Sequence, residues 1–373
     1  MFSRTLILVS VLCLGKPFSL NNIADEGIAG CISHHDIQPL MNWKGKIEST
    51  GESVALNVSL NLGISQSICL ITSSGLCVKN GDSTSLLASW LELEEVIEKA
   101  NKGQPGCYAL FSDGSKPWRI STISLRTGMP AFLCPPVLKS GAPTMVLGGF
   151  TMHRISGENM DPMIDTIQKI DSVSIFHDSV ILDTCMGLGY TAIKAAKEIL
   201  NQGQIMNADS SSLGTVRTIE YDDASLEIAK NNPWSQALFD GTLPIEVMEG
   251  DTCQLVTTMA SNSFDCVIHD PPARAICSTD LYGLQFYRQL HRVLKSTGQL
   301  YHYIGNPESK ESGVLYKGVV KRLREAGFLV PKNEIHTAFG VVAYSSEEAL
   351  TRCRLAGPRK SIRQTPFSFK RRN

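Results

Sequence analysis

Hydrophobic and polar positions along the chain change rhythm once, near residue 160. From about Ile32 to Gly149 the pattern is short and strand-like. Val54-Ala55-Leu56-Asn57-Val58-Ser59-Leu60 largely alternates apolar and polar residues, as a half-buried strand does. Ser67–Thr72 and Thr144–Leu147 read in the same way. One helix is expected at Leu86–Lys99, where Leu91, Leu93, Val96 and Ile97 recur at near-helical spacing and Glu92, Glu94 and Glu95 form a polar face. No other long amphipathic helix is apparent, so residues 32–150 are expected to form a small β-rich accessory domain with no catalytic motif of its own.

Beyond Met160 strands and helices alternate. Asp161 suits a helix cap with Pro162 at the first helical position, and that helix should turn Met163, Ile164, Ile167 and Ile170 toward the core. Strands are expected at Ser179–Leu182, Val216–Ile219, Ile245–Met248, Phe264–His269 and Gln299–Ile304, with two closing strands near Phe328 and Val341. Helices are expected at Thr191–Leu200, Ala224–Lys230, Leu281–Leu294 and Val314–Ala326. The polar, Ser-rich stretch Asn201–Gly214 reads as an inserted surface loop. Such alternation predicts an α/β domain over residues 160–350 with a doubly wound, mostly parallel sheet.

Glycines and acids fall where the predicted strands end. Ile181-Leu182-Asp183-Thr184-Cys185-Met186-Gly187-Leu188-Gly189-Tyr190 leaves a strand and opens a helix. Gly187 and Gly189 allow a tight turn and close approach to a ligand, at the carboxyl edge where open α/β sheets bind ligands. Glu220, followed by Tyr221, ends the second strand; its carboxylate suits the two hydroxyls of a ribose. Asp251 follows the third strand and suits an adenine amino group, although acids at helix starts are common in any case. Asp270-Pro271-Pro272 ends the fourth strand. Two prolines there carry no backbone donors, which leaves carbonyls and the Asp270 carboxylate to accept from a substrate.

In this order, these motifs resemble the class I S-adenosylmethionine-dependent methyltransferases over about residues 179–342. Arg292-Val293-Leu294-Lys295-Ser296-Thr297-Gly298-Gln299-Leu300 adds the matching helix-turn-strand. A dehydrogenase fingerprint fits less well: Ala192 stands at the third glycine position, and Glu220 lies further on than the usual ~20 residues. Further motifs resemble a family of predicted archaeal-type methyltransferases of unknown substrate: Gly148-Gly149-Phe150-Thr151-Met152-His153-Arg154, Asp161-Pro162 with Asp165-Thr166 and Lys169, Asn232-Pro233-Trp234, and His302-Tyr303-Ile304-Gly305-Asn306-Pro307. The resemblance implies a seven-stranded methyltransferase sheet, S-adenosyl-L-methionine as cofactor, no metal, and a cofactor site built from Asp183, Thr184, Gly187, Gly189, Glu220, Tyr221 and Asp251. Asp270, Pro271 and Pro272 would then face the methyl acceptor. An Asp-Pro-Pro-aromatic motif marks methylation of planar amino nitrogens; here Ala273 replaces the aromatic, and Tyr282, Tyr301 or Tyr303 would have to stack a flipped base instead. Cys277 is a weak candidate nucleophile. His153 with Arg154, His302 and Trp234 are secondary candidates, each with a plain packing role as the alternative.

Charge separates acceptor classes less sharply. Thirty-five Lys and Arg against 36 Asp and Glu leave a net of −1, which excludes binding to nucleic acid through bulk positive charge. The distribution is uneven. Residues 351–373 carry +8 with no acid, leaving −9 for the rest, so this basic tail suits RNA phosphates or is merely solvated. The expected acceptor is an amino nitrogen of tRNA or rRNA. A protein or small metabolite, an aminopropyl transfer, and a cofactor-binding scaffold without transfer remain as alternatives.

The first residues point to a targeting leader over 1–15: a basic start, an apolar run Leu6–Leu14 broken only by Ser10, and small Cys13 and Gly15 before a cleavage position. The alternative is a buried first strand or helix. Eleven scattered cysteines without a CxxC pair suit a reducing interior. A bipartite leader into a plastid, with Lys16-Pro17-Phe18-Ser19 after the cut, reconciles the two. No apolar run of about 18 residues or more is present, so no membrane span is expected.

Overall fold

A computed structural model describes residues 27–81, 83–136, 141–155, 161–209 and 212–356. The leader and the tail beyond residue 356 lie outside these residues. Among the described residues, no helix is long and apolar enough to cross a membrane.

The front of the chain forms three antiparallel sheets. Val54–Val58, Ser67–Thr72, Gly75–Asn80 and Ser83–Ser89 make a meander. Ile28–Ser33, Cys107–Phe111 and Trp118–Arg119 make a second sheet. Ser121–Ile123, Pro130–Cys134, Thr144–Leu147 and Phe150–Thr151 make a third. The region is less purely β than its pattern predicts, because His34–Thr50 is a 17-residue helix. A capping box of Ser33 with Asp36 starts it, and left-handed Gly51 ends it. Its apolar stripe is thin, with only Ile37, Leu40 and Ile47 buried, and Pro39 deletes a backbone donor inside it. Both features hide it from a periodicity reading. The second helix is Trp90–Asn101, since Leu86–Ser89 finish a strand.

The larger part is a mixed seven-stranded sheet. Its strands are β1 (Val180–Asp183), β2 (Thr215–Glu220), β3 (Ile245–Glu249), β4 (Phe264–His269), β5 (Leu294–Tyr303), β6 (Ile335–Thr337) and β7 (Gly340–Tyr344). They lie in the order β3-β2-β1-β4-β5-β7-β6. The pairs from β3 to β5 are parallel, and β7 runs against both β5 and β6. The sheet is therefore mixed where it closes. The penultimate strand also lies later than expected: it is β6, whereas beside Phe328 only Leu329 bridges to Tyr344.

The helices are α1 (Pro162–Ile170), α2 (Tyr190–Met206), α3 (Asp223–Lys230), α4 (Thr252–Thr258), α5 (Leu284–Val293), α6 (Lys310–Glu325) and α7 (Glu347–Leu355). Alternate strand residues feed two cores, as a doubly wound sheet requires. Leu182, Val267, Leu300 and Val341 pack with Phe286, Tyr287, Val319 and Leu323 of α5 and α6. Ile181, Ile268, Tyr301 and Val342 pack with Ile193, Ala196 and Ile228 of α2 and α3, together with Leu133 and Met145 of the third front sheet and Ile120 just before it. That front sheet thus shares a core with the large one.

Three expectations are corrected here. Helix α2 runs on through Gly203 to Met206, so the first six residues of the supposed inserted loop are helix. The expected helix Leu281–Leu294 breaks at Gly283, and Leu294 already begins β5. Helix α1 has the expected start and buries Ile170 as expected, but Asp165, Thr166 and Lys169 are buried beside it, while Met163, Ile164 and Ile167 are only partly so. In the tail, Arg352 is folded into α7, donates to Thr297 and lies over Phe176.

The cap of α1 has a measurable consequence. Asp161 Oδ1 accepts from the N–H groups of Met163 (2.7 Å) and Ile164 (3.1 Å). Asp161→Ala should lower stability by about 1 kcal/mol, read as a fall in urea midpoint at constant slope; an unchanged midpoint would refute the cap's contribution.

Candidate active site

The carboxyl ends of β1 to β4 meet at one cavity of about 470 Å³. At β1, Asp183 is fully buried. Its Oδ2 accepts from Thr191 Oγ1 and Thr218 Oγ1, both at 3.0 Å, whereas Oδ1 is buried without a partner. Burial pushes this carboxyl up to about 7 against those hydroxyl bonds. The chain then turns through Gly187 (φ +55°) and Gly189 (φ +73°). A Cβ on Gly189 would meet Leu238 Cδ1 at 2.3 Å, while one on Gly187 would enter open space. Gly189 therefore serves packing, and Gly187 leaves room at the cavity.

Glu220 joins β2 to this turn. Its Oε2 accepts from the Gly187 N–H at 2.7 Å and its Oε1 from the Asp222 N–H at 2.8 Å. Burial still holds it up to about 7. Each oxygen keeps acceptor capacity for a ligand hydroxyl. Asp251 caps α4, accepting from the Cys253 N–H at 2.9 Å, and also lines the cavity; both readings of it coexist.

Asp270 at the end of β4 is tied by its Oδ2 to Lys169 Nζ at 2.7 Å, and the same ammonium contacts Asp165 Oδ2 at 2.8 Å. Arg154 completes the chain with an ion pair from Nε to Asp165 and lies over the Phe339 ring. The Lys169 side chain is 2% exposed and sits 4.5 Å from the centre of the Tyr303 ring. Burial disfavours the ammonium, but Asp270 and Asp165 outweigh it and hold Lys169 above its ordinary value. Burial likewise raises Asp270, with Lys169 opposing. Asp165 faces two cations, so Lys169 and Arg154 overcome its burial and hold it low.

Thr184, Gly187, Glu220, Tyr221, Asp251, Asp270, Pro271 and Pro272 all line the cavity. Asp183 and Gly189 stand behind it. Other candidates sort differently. His153 lines the cavity, bonded at Nδ1 to Thr144 Oγ1 and stacked on Tyr190; burial and nearby Lys169 hold it down to about 4, hence neutral. His302 is a core histidine bonded to Tyr287 and the Tyr303 carbonyl. Trp234 donates to the Leu62 carbonyl and ties the front region down. Cys277 lines the cavity, but burial pushes its thiol up, away from a thiolate. Tyr282, Tyr301 and Tyr303 do not take the place of the missing aromatic. Tyr282 reaches toward the Pro272 carbonyl, Tyr301 donates to Ala338 and Tyr303 lies beside Lys169. The aromatic rings on the cavity are His153, Tyr190 and Tyr221.

Two groups escape the sequence reading. Thr127, Met129, Leu147 and Met152 wall the cavity from the front region. Their loop is pinned by Asp223, which accepts from Ser124 Oγ and the Leu125 N–H, and by Thr127 Oγ1 donating to Asp222. Leu147 ends an expected strand and Met152 lies in the Gly148–Arg154 motif, but no local pattern marks any of the four as cavity wall. Asp165 and Lys169 are the second group: the sequence shows them as motif residues and as a charged pair four apart on a short helix, but nothing local gives them a place beside Asp270.

No protein-family model matches the chain. It is 41% identical over 202 residues to an uncharacterised protein of Methanocaldococcus jannaschii, covering 54% of this chain and 63% of that protein. It is 28% identical over 120 residues to polyamine aminopropyltransferase 2 of Streptomyces coelicolor, covering 31% of this chain and 20% of that protein. The chain thus spans less than two thirds of the length of both curated relatives. Among solved structures, spermidine synthase from Thermotoga maritima aligns with a TM-score of 0.42 at 16% identity, over 60% of this chain and 70% of that one. A SAM dependent methyltransferase from Aquifex aeolicus aligns with a TM-score of 0.35 at 16% identity, over 48% of this chain and 88% of that one.

The two glycines predict different damage. Gly189→Ala should lose roughly 2 kcal/mol or more, from left-handed strain plus the Leu238 clash, and Gly187→Ala about 1 kcal/mol, from backbone strain alone. Urea melts of both variants check this, and equal losses would contradict the assigned roles.

Proposed function

We propose that the chain is an S-adenosylmethionine-dependent methyltransferase acting on an amino nitrogen of an RNA base. The observation that carries the reading is that one cavity joins Gly187, Glu220 and Asp251 to Asp270-Pro271-Pro272 at the ends of neighbouring strands. The residues fit an adenosyl cofactor on a structural count: the open space at Gly187 lies beside Glu220, which lines the same cavity with acceptor capacity to spare on its two oxygens. Glu220 would hold the ribose hydroxyls, Asp251 the adenine amino group, and the Thr184–Gly187 turn with Asp183 the aminoacyl end. When bound, the cofactor supplies an electrophilic methyl group on a sulfonium and a neutral thioether leaving group.

The chain itself would position the acceptor and keep water out. Pro271 and Pro272 have no backbone donors, so their edge accepts hydrogen from an amino group. Asp270 accepts through the oxygen that Lys169 does not hold. Met129, Leu147 and Met152 close the cavity from the front region. The basic residues Arg359, Lys360, Arg363, Lys370, Arg371 and Arg372 support an RNA acceptor through phosphate contacts. A second reading, aminopropyl transfer to a polyamine, is favoured by the short similarity to the Streptomyces enzyme.

Calorimetry with S-adenosylhomocysteine tests the cofactor site. Wild type should bind and Gly187→Arg should not; no binding by wild type would overturn the reading. The ionised form of Glu220 accepts ribose hydroxyls, and this carboxyl is held up to about 7. Affinity should therefore rise about tenfold from pH 6 to pH 8 and then level off, and Glu220→Gln should flatten that rise. Tritium from labelled cofactor should enter RNA rather than protein; label confined to protein defeats the RNA acceptor, and binding without transfer to any fraction points to a scaffold.

A further inference from the structure

Asp270 is the acid best placed for an acceptor, yet it is already neutralised. Lys169 Nζ sits 2.7 Å from its Oδ2 and 2.8 Å from Asp165 Oδ2. With Arg154 paired to Asp165, two cations face two anions and the chain sums to zero. Lys169 cannot swing away into water: its side chain is 2% exposed, and breaking a buried pair leaves an uncompensated charge. The other acids on the cavity are engaged at the ends of β2 and β3. Glu220 and Asp251 accept backbone N–H groups, and Asp222 accepts from Ser225 N–H and Thr127 Oγ1. The cavity wall also carries Pro271, Pro272, Ile276, Leu281 and Met152, and its remaining polar residues, such as Ser278 and neutral His153, bring no negative charge. An ammonium entering there would lose its hydration without gaining a net negative partner. An uncharged amino group needs only hydrogen-bond acceptors, which Asp270 and the proline edge offer.

We propose that Lys169 determines specificity by occupying Asp270, so that the site takes an uncharged amino nitrogen and excludes polyamine cations. This rests on reading the cavity as the transferase site. It makes Lys169 a positioning residue that acts through Asp270, and it separates methylation of a planar amine from aminopropylation of a polyamine.

The test is calorimetry at pH 8 with spermidine as probe, on full-length protein with and without S-adenosylhomocysteine. Lys169→Gln keeps an amide that can donate to both carboxylates but removes the charge. It should bind spermidine at least about tenfold more tightly than wild type, a gain that loss of structure would not produce. Should Lys169→Gln not fold, Lys169→Met removes the same charge while Arg154 still pairs with Asp165, leaves Asp270 without its cation and should show the same gain. Wild type binding spermidine as tightly as these variants would overturn the proposal. Folded variants that gain no affinity would overturn it equally. If wild type fails to bind S-adenosylhomocysteine, the cofactor reading falls, while the spermidine comparison without it still decides the role of Lys169.

Discussion

One buried ammonium holds the chemistry of this molecule in place. Lys169 lies between Asp165 on its own helix and Asp270 at the end of β4, so helix α1 cannot shift without exposing two carboxylates to an apolar interior. The helix entry is held by Asp161 and the outer end of the charge chain by Arg154 over Phe339. Removing water from four charges is unfavourable and is offset only when geometry and pairing are complete. That explains why a nine-residue helix turns its charged side inward, and why Asp270 stands at the cavity with one oxygen already taken.

The same logic runs along the rest of the sheet edge with hydrogen bonds in place of ions. Asp183 is shared by two threonines and Glu220 by two backbone N–H groups. Both stay near 7 because neutral donors do not outweigh burial as a cation does. The edge thus holds two carboxylates poised near neutrality on the side assigned to the cofactor, and one paired to a lysine on the side assigned to the acceptor. Under the proposed function, the first pair would face a cationic sulfonium cofactor and the paired acid an uncharged nitrogen.

The front region gains its meaning from this arrangement. Its third sheet shares a core with α2 and α3, and Asp222 and Asp223 pin its loop over the cavity. Acids at the start of α3 therefore cap that helix and also fasten a wall. The apolar residues it brings, Met129, Leu147 and Met152, supply shape and exclusion of water rather than reactive groups.

Sequence alone determined whatever depends on neighbours along the chain. The run Phe264–His269 is buried at every position and ends at Asp-Pro-Pro, so its bounds were legible from apolar continuity and proline chemistry. The turn from Asp183 to Tyr190 was legible from its glycines. Four of the acids and glycines read from strand ends, Gly187, Glu220, Asp251 and Asp270, reach the same cavity because parallel strands place their carboxyl ends on one edge. Tertiary structure decided the rest. Periodicity put Ile164 and Ile167 of α1 in the core, but the buried face carries Asp165 and Lys169, since charge pairing with Asp270, 101 residues away, outweighs a short apolar stripe. The helix His34–Thr50 was hidden by Pro39 and a thin stripe, and the wall role of Met129, Leu147 and Met152 by the lack of any local signal that they meet the cavity. A local pattern records which residues can be buried; only the fold decides what is buried beside them, and here that choice determines how the site is charged.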